Sequence, residues 1–187
     1  MALERGELRE TAEIRKSVSL HTYLRKMKGD SSKEPNFRIG ESLVSAGGGL
    51  IAMTIISVMA VSLGYPMALG PIGASCLLVF AAHQGPFSQP RQIIGGHVLS
   101  TGAALSIWDL FGRSHVTIGI TLAVVLLLMI ITQSMHPPAA ASAIVAINSQ
   151  AGWGFLFTIF ISALIVVGIS VLYNNLFKDR TYPKKWT

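Results

Sequence analysis

The sequence predicts an all-α integral membrane protein, a small helical bundle with two short, proline-interrupted helices. Hydrophobic residues make up 51% of the 187 residues and charged residues only 13%, about half the share usual in a globular protein. No Asp, Glu, Lys or Arg occurs in residues 42–90 or in residues 114–177. A water-soluble domain could not contain such tracts without exposing large apolar patches, whereas a lipid bilayer accepts them.

The charged residues are concentrated at the two ends of the chain, and this divides it into three parts. Residues 1–41 are expected to form a cytoplasmic arm, residues 42–177 the transmembrane domain and residues 178–187 a basic cytoplasmic tail. Cytoplasmic flanks of membrane helices gather Lys and Arg, so both termini are placed in the cytoplasm, which requires an even number of crossings. The basic residues form no nucleic-acid recognition motif, and nucleic acid is not an expected partner.

The first half of the membrane domain predicts three helical segments. Residues 42–63 are long enough to span about 30 Å of hydrocarbon. Residues 67–82 follow, and because Pro71 lacks an N–H and clashes with the preceding turn, a break is predicted with a fresh helix from about Ile72. Residues 83–91 are predicted to be a loop, and residues 93–111 a third helix.

The second half repeats this order. Residues 116–133 are predicted to form a long apolar helix, which the prolines of the His-Pro-Pro sequence at 136–138 terminate. Residues 139–147 form a short helix of about 14 Å at 1.5 Å per residue, and residues 153–177 a last span. Residues 70–78 align with residues 137–145, with Pro71 on Pro138 and Ser75 on Ser142.

Two topologies fit this pattern. Six crossings give two three-helix repeats in inverted orientation, which is the weakly preferred arrangement. Four crossings make the two proline-containing segments re-entrant. Paired, proline-interrupted segments in corresponding positions are a sequence signature of a transporter's binding site.

A candidate anion site follows from the two breaks. A helix that restarts after a break presents free N–H groups and the positive end of its dipole. Two facing helix starts would bind a small anion without Lys or Arg. The alternative is that these kinks serve packing only. The residues assigned to the site are Pro71, Ala74, Ser75, Pro137, Pro138, Ala140, Ala141 and Ser142.

Three further side chains are candidates for this site, each with a structural alternative. His136 either donates to an anion or carries a proton, or else it bonds a carbonyl that the prolines leave free. His97 follows two glycines in mid-segment and serves either the site or packing. Arg91 either attracts anions to a vestibule or binds lipid phosphate.

Several function classes are disfavoured by the residues that are missing. The sequence has no Ser/His/Asp set, no HExxH, no phosphate loop and no carboxylate deep in a predicted span, so neither an enzyme nor an ATP-driven pump is expected. A single cysteine, Cys76, excludes an intrachain disulfide and offers no metal-binding cluster. No cofactor and no metal are expected.

Several ordered motifs resemble the HPP family of integral membrane proteins over about residues 40–183. They are GASCLLVFAA at 73–82, SQPR at 88–91, IGGHVLS at 94–100, MHPPAAA at 135–141 and YNN at 173–175. The family is usually described as four-spanning, and its cyanobacterial and plastid members resemble nitrite transporters. The resemblance therefore implies a transporter or channel for a small monovalent anion, nitrite first, in a bacterial inner membrane of cyanobacterial type.

Other interpretations remain open from the sequence. The chain could be a membrane scaffold that transports nothing, or a channel for a neutral solute. Because so small a bundle would gain from burying its polar breaks against a partner, a homo-oligomer is expected, with a dimer as the first guess.

Overall fold

The computed structural model describes residues 38–186, together with Leu24 and Met27. Most of the N-terminal arm therefore lies outside the described residues. The rest is all-α, as predicted, and contains no strand within the described residues. The helices are α1 (Ile39–Ser62), α2 (Leu69–Ala81), α3 (Pro90–Phe111), α4 (His115–Ile131), α5 (Pro137–Asn148) and α6 (Gly154–Asn174), with 3₁₀ turns at Pro66–Ala68 and Pro86–Ser88.

One end of the bundle, here called the tail end, is identified by contacts of the C-terminal tail. Arg180 donates to the carbonyl of Glu41 at the start of α1 and to that of Phe80 near the end of α2, at 2.9 and 3.0 Å. Arg91 at the start of α3 donates to the carbonyl of Thr132 just after α4, at 2.8 Å. The starts of α1 and α3 and the ends of α2 and α4 therefore lie at the tail end.

The opposite end is defined by contacts of the α6 start. Trp153 Nε1 donates to Asp109 near the end of α3 at 2.9 Å. The rings of Tyr65, just before α2, and Phe155, in the first turn of α6, pack with centroids 5.9 Å apart. Each helix therefore runs antiparallel to the preceding one, and both α2 and α5 pass from one end to the other.

This alternation produces an inverted repeat. The units α1–α3 and α4–α6 run in opposite directions, and exchanging one for the other reproduces the helix packing. In this exchange α1 corresponds to α4, α2 to α5 and α3 to α6. Helix α1 packs on α2 and α6, and α4 packs on the corresponding helices α5 and α3. Helices α2 and α5 pack on each other across the junction, as do α3 and α6. Neither short helix turns back toward the end from which it started, which favours the six-crossing arrangement over re-entry.

The prolines begin helices here instead of breaking them, which corrects three predicted boundaries, and the predicted end of α6 is corrected as well. A proline in the first turn lacks only an N–H that would have no helical partner there. Helix α3 starts at Pro90 and α5 at Pro137, each earlier than predicted. The break predicted before Ile72 is wrong, because the 3₁₀ turn leads directly into α2 and Pro71 lies in its first turn. Helix α6 ends at Asn174, three residues before its predicted end.

The outward faces of the bundle are apolar. Three helices, α1, α3 and α6, are long and apolar enough to cross a membrane, and α2, α4 and α5 are shorter apolar helices. In water such a surface would drive aggregation. Exposed large apolar side chains on the two peripheral helices are Leu43, Leu50, Ile51, Ile55, Val58 and Val61 on α1 and Val116, Ile120, Leu126, Leu127, Ile130 and Ile131 on α4.

The C-terminal tail packs onto the α2–α3 loop. Tyr182 is 1% exposed and donates from its hydroxyl to the carbonyl of Ser88 at 2.8 Å. Its burial raises the pKa of its phenol. Burial, and after it the charges of Arg180 and Lys184, hold the pKa of His83 in the same loop below its ordinary value. The tail is therefore a structural part of the bundle.

We expect Gly96→Ala to destabilise the protein. An added Cβ would lie 2.8 Å from the Cβ of His136 and 3.0 Å from the carbonyl oxygen of Ser134, and backbone cannot move aside cheaply. Overpacking of this kind costs about 1–3 kcal/mol. Thermal unfolding in detergent measures it, and Gly102→Ala on the same helix is the control, because nothing lies within 4 Å of its added Cβ. Equal melting temperatures for the two variants would contradict the close packing of α3 and α5.

Candidate functional site

Four polar side chains meet at the junction of the two units. Ser75 Oγ of α2 lies 2.8 Å from Nε2 of both His97 of α3 and His136, the N-cap of α5. His97 Nδ1 lies 2.8 Å from Ser142 Oγ of α5. All four residues are 0% exposed. The structure thus brings together the two serines and two histidines that the sequence suggested.

The hydrogen bonds of this cluster assign its protons. His136 Nδ1 lies 2.7 Å from the carbonyl oxygen of Phe87, which can only accept, so Nδ1 carries the proton. In the neutral ring Nε2 then accepts the hydroxyl hydrogen of Ser75 at 2.8 Å, and the Pro71 carbonyl shares this hydrogen at the longer distance of 3.2 Å. His97 Nε2 must consequently donate to Ser75, and His97 Nδ1 accepts from Ser142. The result is one directed chain of four hydrogen bonds.

Close packing of α3 against the start of α5 positions the two rings. Gly96 lets the backbone of Ser134 and the side chain of His136 approach α3. Ser100 Oγ, one turn after His97, donates to the carbonyl of Ala139 at 2.6 Å and ties the first turn of α5 to α3. The imidazole centroids are consequently 5.1 Å apart with the rings inclined at 64°.

The expectation of free amides at the start of α5 is wrong. The first two residues, Pro137 and Pro138, have no N–H to offer, and Ala139 N already donates to the carbonyl of His136 at 2.9 Å. Ala140 and Ala141 lie within the helix, where their amides donate to carbonyls one turn earlier. The prolines that create the helix start also remove the donors that an anion would need.

The corresponding expectation for α2 is also wrong. Because α2 begins at Leu69, Ala74 is its sixth residue, and its amide is engaged in intrahelical bonding. Pro71 contributes its carbonyl, which lies 3.2 Å from Ser75 Oγ. Side chains, and not helix termini, therefore supply the polar groups of this site.

Arg91 is not part of the cluster. Its side chain donates to the carbonyl of Thr132 and joins α3 to the end of α4 at the tail end. Arg91 is exposed at this end, so its two sequence-based roles, at an anion vestibule or with lipid phosphate, stay predictions.

The sequence analysis missed three residues that contribute to the cluster or lie next to it. The Phe87 carbonyl terminates the chain, and no sequence pattern announces which backbone oxygen an imidazole will reach. Ser100 and Thr101 are both 0% exposed, and the Thr101 hydroxyl has no partner within the described residues. Their adjacent hydroxyl side chains, one helical turn after His97, were the sequence signal that could have identified them as neighbours of the cluster. Among the described residues no group of three or more His, Cys, Asp or Glu could hold a metal.

The two histidines are expected to hold opposite tautomers. His136 should be protonated at Nδ1 and His97 at Nε2, because the Phe87 carbonyl fixes the direction of the whole chain. Nitrogen-15 NMR of histidine-labelled protein in detergent or lipid measures this directly. Exposed His115 supplies the reference spectrum of a solvated imidazole. Finding one shared tautomer would contradict the assigned chain.

Serine truncations should destabilise the protein in a defined order. Ser75→Ala leaves two buried imidazole nitrogens without their partner and Ser142→Ala leaves one. Each such loss costs about 1–3 kcal/mol. Melting temperatures in detergent should therefore fall furthest for Ser75→Ala and less for Ser142→Ala. Exposed Ser106, which bonds only within its own helix turn, is the control, and Ser106→Ala should change little.

Comparison with known proteins places the chain in a family. The transmembrane region of the HPP family matches residues 34–183. Two transmembrane proteins of Dictyostelium discoideum are 31% and 30% identical to the chain in alignments of 127 residues that cover 63% of this chain. The same alignments cover 45% and 41% of those relatives, so the chain spans less than half of their length. No solved structure matches. The protein is a member of the HPP family of membrane proteins.

Proposed function

We propose that the protein is a membrane transporter for a small monovalent anion, with nitrite as its first candidate substrate. The observation that carries the proposal is the fully buried cluster of Ser75, His97, His136 and Ser142 between two inverted units. Secondary transporters built from inverted repeats hold their substrates at such junctions, near the middle of the membrane.

The composition of the cluster favours transport over scaffolding. A bundle that served packing alone would fill this junction with apolar side chains, because every buried polar group must find a partner or cost free energy. Here α2, α3 and α5 each contribute at least one polar side chain to the same point. Polar groups inside a membrane domain are by default indicators of function.

The chemistry of the cluster favours an anion. Its groups are hydroxyls and imidazoles, which can donate hydrogen bonds, and α2, α5 and α6 carry no Asp, Glu, Lys or Arg. An anion here meets no competing carboxylate, and it would exchange hydrogen bonds within the cluster for bonds to itself. Nitrite itself is named on the resemblance to cyanobacterial and plastid family members.

We further propose that the tail end faces the cytoplasm of a bacterial inner membrane. Among the described residues the tail end carries a clear excess of basic side chains, whereas the opposite end has only Arg113 beside Asp109. Basic flanks stay in the cytoplasm, which would place both ends of the membrane domain there. We also keep a homodimer as the proposed assembly. The basic residues at the tail end are Arg38, Arg91, Lys178, Arg180, Lys184 and Lys185.

Nitrite uptake into liposomes that contain the purified protein tests the function. We expect saturable uptake above protein-free liposomes, and a fall of about tenfold or more for Ser142→Ala, because one hydrogen bond to a charged ligand is worth roughly 1.5–3 kcal/mol. Ser106→Ala, outside the cluster, should retain uptake. Nitrate and formate as competitors define the selectivity.

Each other outcome has a definite meaning. Normal uptake by folded Ser142→Ala protein would remove the cluster from the substrate site. Absence of protein-dependent uptake by folded wild-type protein would refute the nitrite proposal and favour a scaffold. Flux of ammonia without flux of any anion would instead identify a channel for neutral solutes.

A further inference from the structure

We propose that the cluster also carries a proton, so that the anion crosses the membrane by proton symport through a histidine–serine relay. This inference rests on the proposed transport function. It is carried by the directed hydrogen-bond chain, which passes from Ser142 through His97, Ser75 and His136 to the carbonyl of Phe87.

The chain has the geometry of a relay. Its four links measure 2.8, 2.8, 2.8 and 2.7 Å, and each of the three inner groups both donates and accepts. No link needs a bridging water. Imidazole and hydroxyl groups can each take a proton on one side while releasing another on the other side.

The proton balance of one passage is complete. A proton that enters with the anion bonds to His97 Nδ1 as the hydroxyl hydrogen of Ser142 turns away, and the Nε2 proton of His97 moves to Ser75 Oγ. The former hydroxyl proton of Ser75 moves to His136 Nε2, and the Nδ1 proton of His136 leaves past the Phe87 carbonyl. One proton enters the chain and one leaves it. Rotation of the hydroxyls and the imidazole rings then restores the starting direction of the hydrogen bonds.

The anion is coupled to this proton by charge. A proton added to His97 makes an imidazolium that is fully buried, and an uncompensated buried charge is strongly disfavoured. A monovalent anion beside it restores neutrality. The same proton turns His97 Nδ1 into a donor toward Ser142 Oγ, so the hydroxyl hydrogen of Ser142 becomes free for the anion. Thr101, one helical turn after His97, offers a second unengaged hydroxyl.

No other group nearby can supply the compensating charge. Around the two histidines α2 contributes only the neutral thiol of Cys76, and α5 has no titratable side chain. Tyr173 of α6 donates its hydroxyl to the carbonyl of Val44. The remaining titratable groups of the neighbouring elements lie at the two ends of the bundle. These are Glu41, His83, Arg91, Arg180, Tyr182 and Lys184 at the tail end and Tyr65, Asp109, Arg113 and His115 at the opposite end.

The relay has an exit at the tail end. Phe87 lies in the 3₁₀ turn that closes this end and is 43% exposed, whereas Ser142 is the sixth of twelve residues in α5 and lies deep in the bundle. The hydrogen-bond chain therefore connects the interior of the bundle with the tail end. In symport the proton reaches the interior from the opposite side together with the anion, and the two gradients set the direction of transport.

The decisive experiment follows nitrite and protons together. Liposomes with purified protein and a trapped pH dye receive external nitrite, while valinomycin and potassium set the membrane potential. Trapped nitrite is measured by colour assay, and protein-free liposomes correct for nitrous acid that crosses lipid unaided. We expect one proton to enter with each nitrite, and uptake to respond to the pH gradient but not to the potential.

Two conservative variants test the relay itself. His136→Asn keeps an N–H for the Phe87 carbonyl, and His97→Gln keeps one for Ser75, but neither amide can pass a proton on. We expect the proton-to-nitrite ratio to fall from about one toward zero in both, with any remaining nitrite uptake driven by the potential. His115→Asn, at an exposed position, is the control and should keep the wild-type ratio.

The results separate the two proposals. Nitrite uptake that follows the potential without luminal acidification overturns symport and leaves the transporter standing. A wild-type ratio in His136→Asn and His97→Gln overturns the relay and leaves symport to another path. No nitrite uptake in folded wild-type protein overturns the transport function and, with it, this inference.

Discussion

Two buried imidazole rings share one serine hydroxyl, and the arrangement of the bundle depends on satisfying them. Ser75 has a single hydrogen and lies between Nε2 of His97 and Nε2 of His136. Each ring finds a partner for its second nitrogen elsewhere, at Ser142 for His97 and at the carbonyl of Phe87 for His136. Helices α2, α3 and α5 and the α2–α3 loop are thereby held together at one point, and a displacement of any of them leaves a buried polar atom unpaired.

The inverted repeat explains how so small a chain can build this junction. Helices α2 and α5 face each other and bring Ser75 and Ser142, which align in sequence, to the two sides of His97. The symmetry of the backbone is not kept by the polar groups. His97 lies on α3, whose counterpart α6 has no histidine, and His136 is the N-cap of α5, where Ala68 is the N-cap of the counterpart α2. This asymmetry gives the hydrogen-bond chain its direction. The outer helices α1 and α4 present apolar surfaces outward and leave the inner four to form the polar interior.

Much of the fold could be predicted because its physical cause is local. Uncharged tracts of membrane length predict helices, and a proline pair predicts where one of them starts. Predictions failed where a proline has two possible effects. Pro71 was expected to break a helix, but it lies in a first turn, where its missing N–H costs little. The serines and histidines named as candidates do meet in the structure, but the free amides expected beside them are absent at α5, where Pro137 and Pro138 have no N–H and Ala139 N is already bonded.

The sequence by itself determined that the chain is a membrane-embedded helical bundle and that Ser75, His97, His136 and Ser142 are the polar residues at its proline-marked segments. These properties follow from composition and from the backbone chemistry of proline. Only the tertiary structure decided that the short helices pass through the bundle, that Arg91 joins α3 to the end of α4, and that the four polar side chains form one directed chain. Such contacts join residues up to 61 positions apart, as for Ser75 and His136, and no local pattern records which distant partner completes a hydrogen bond.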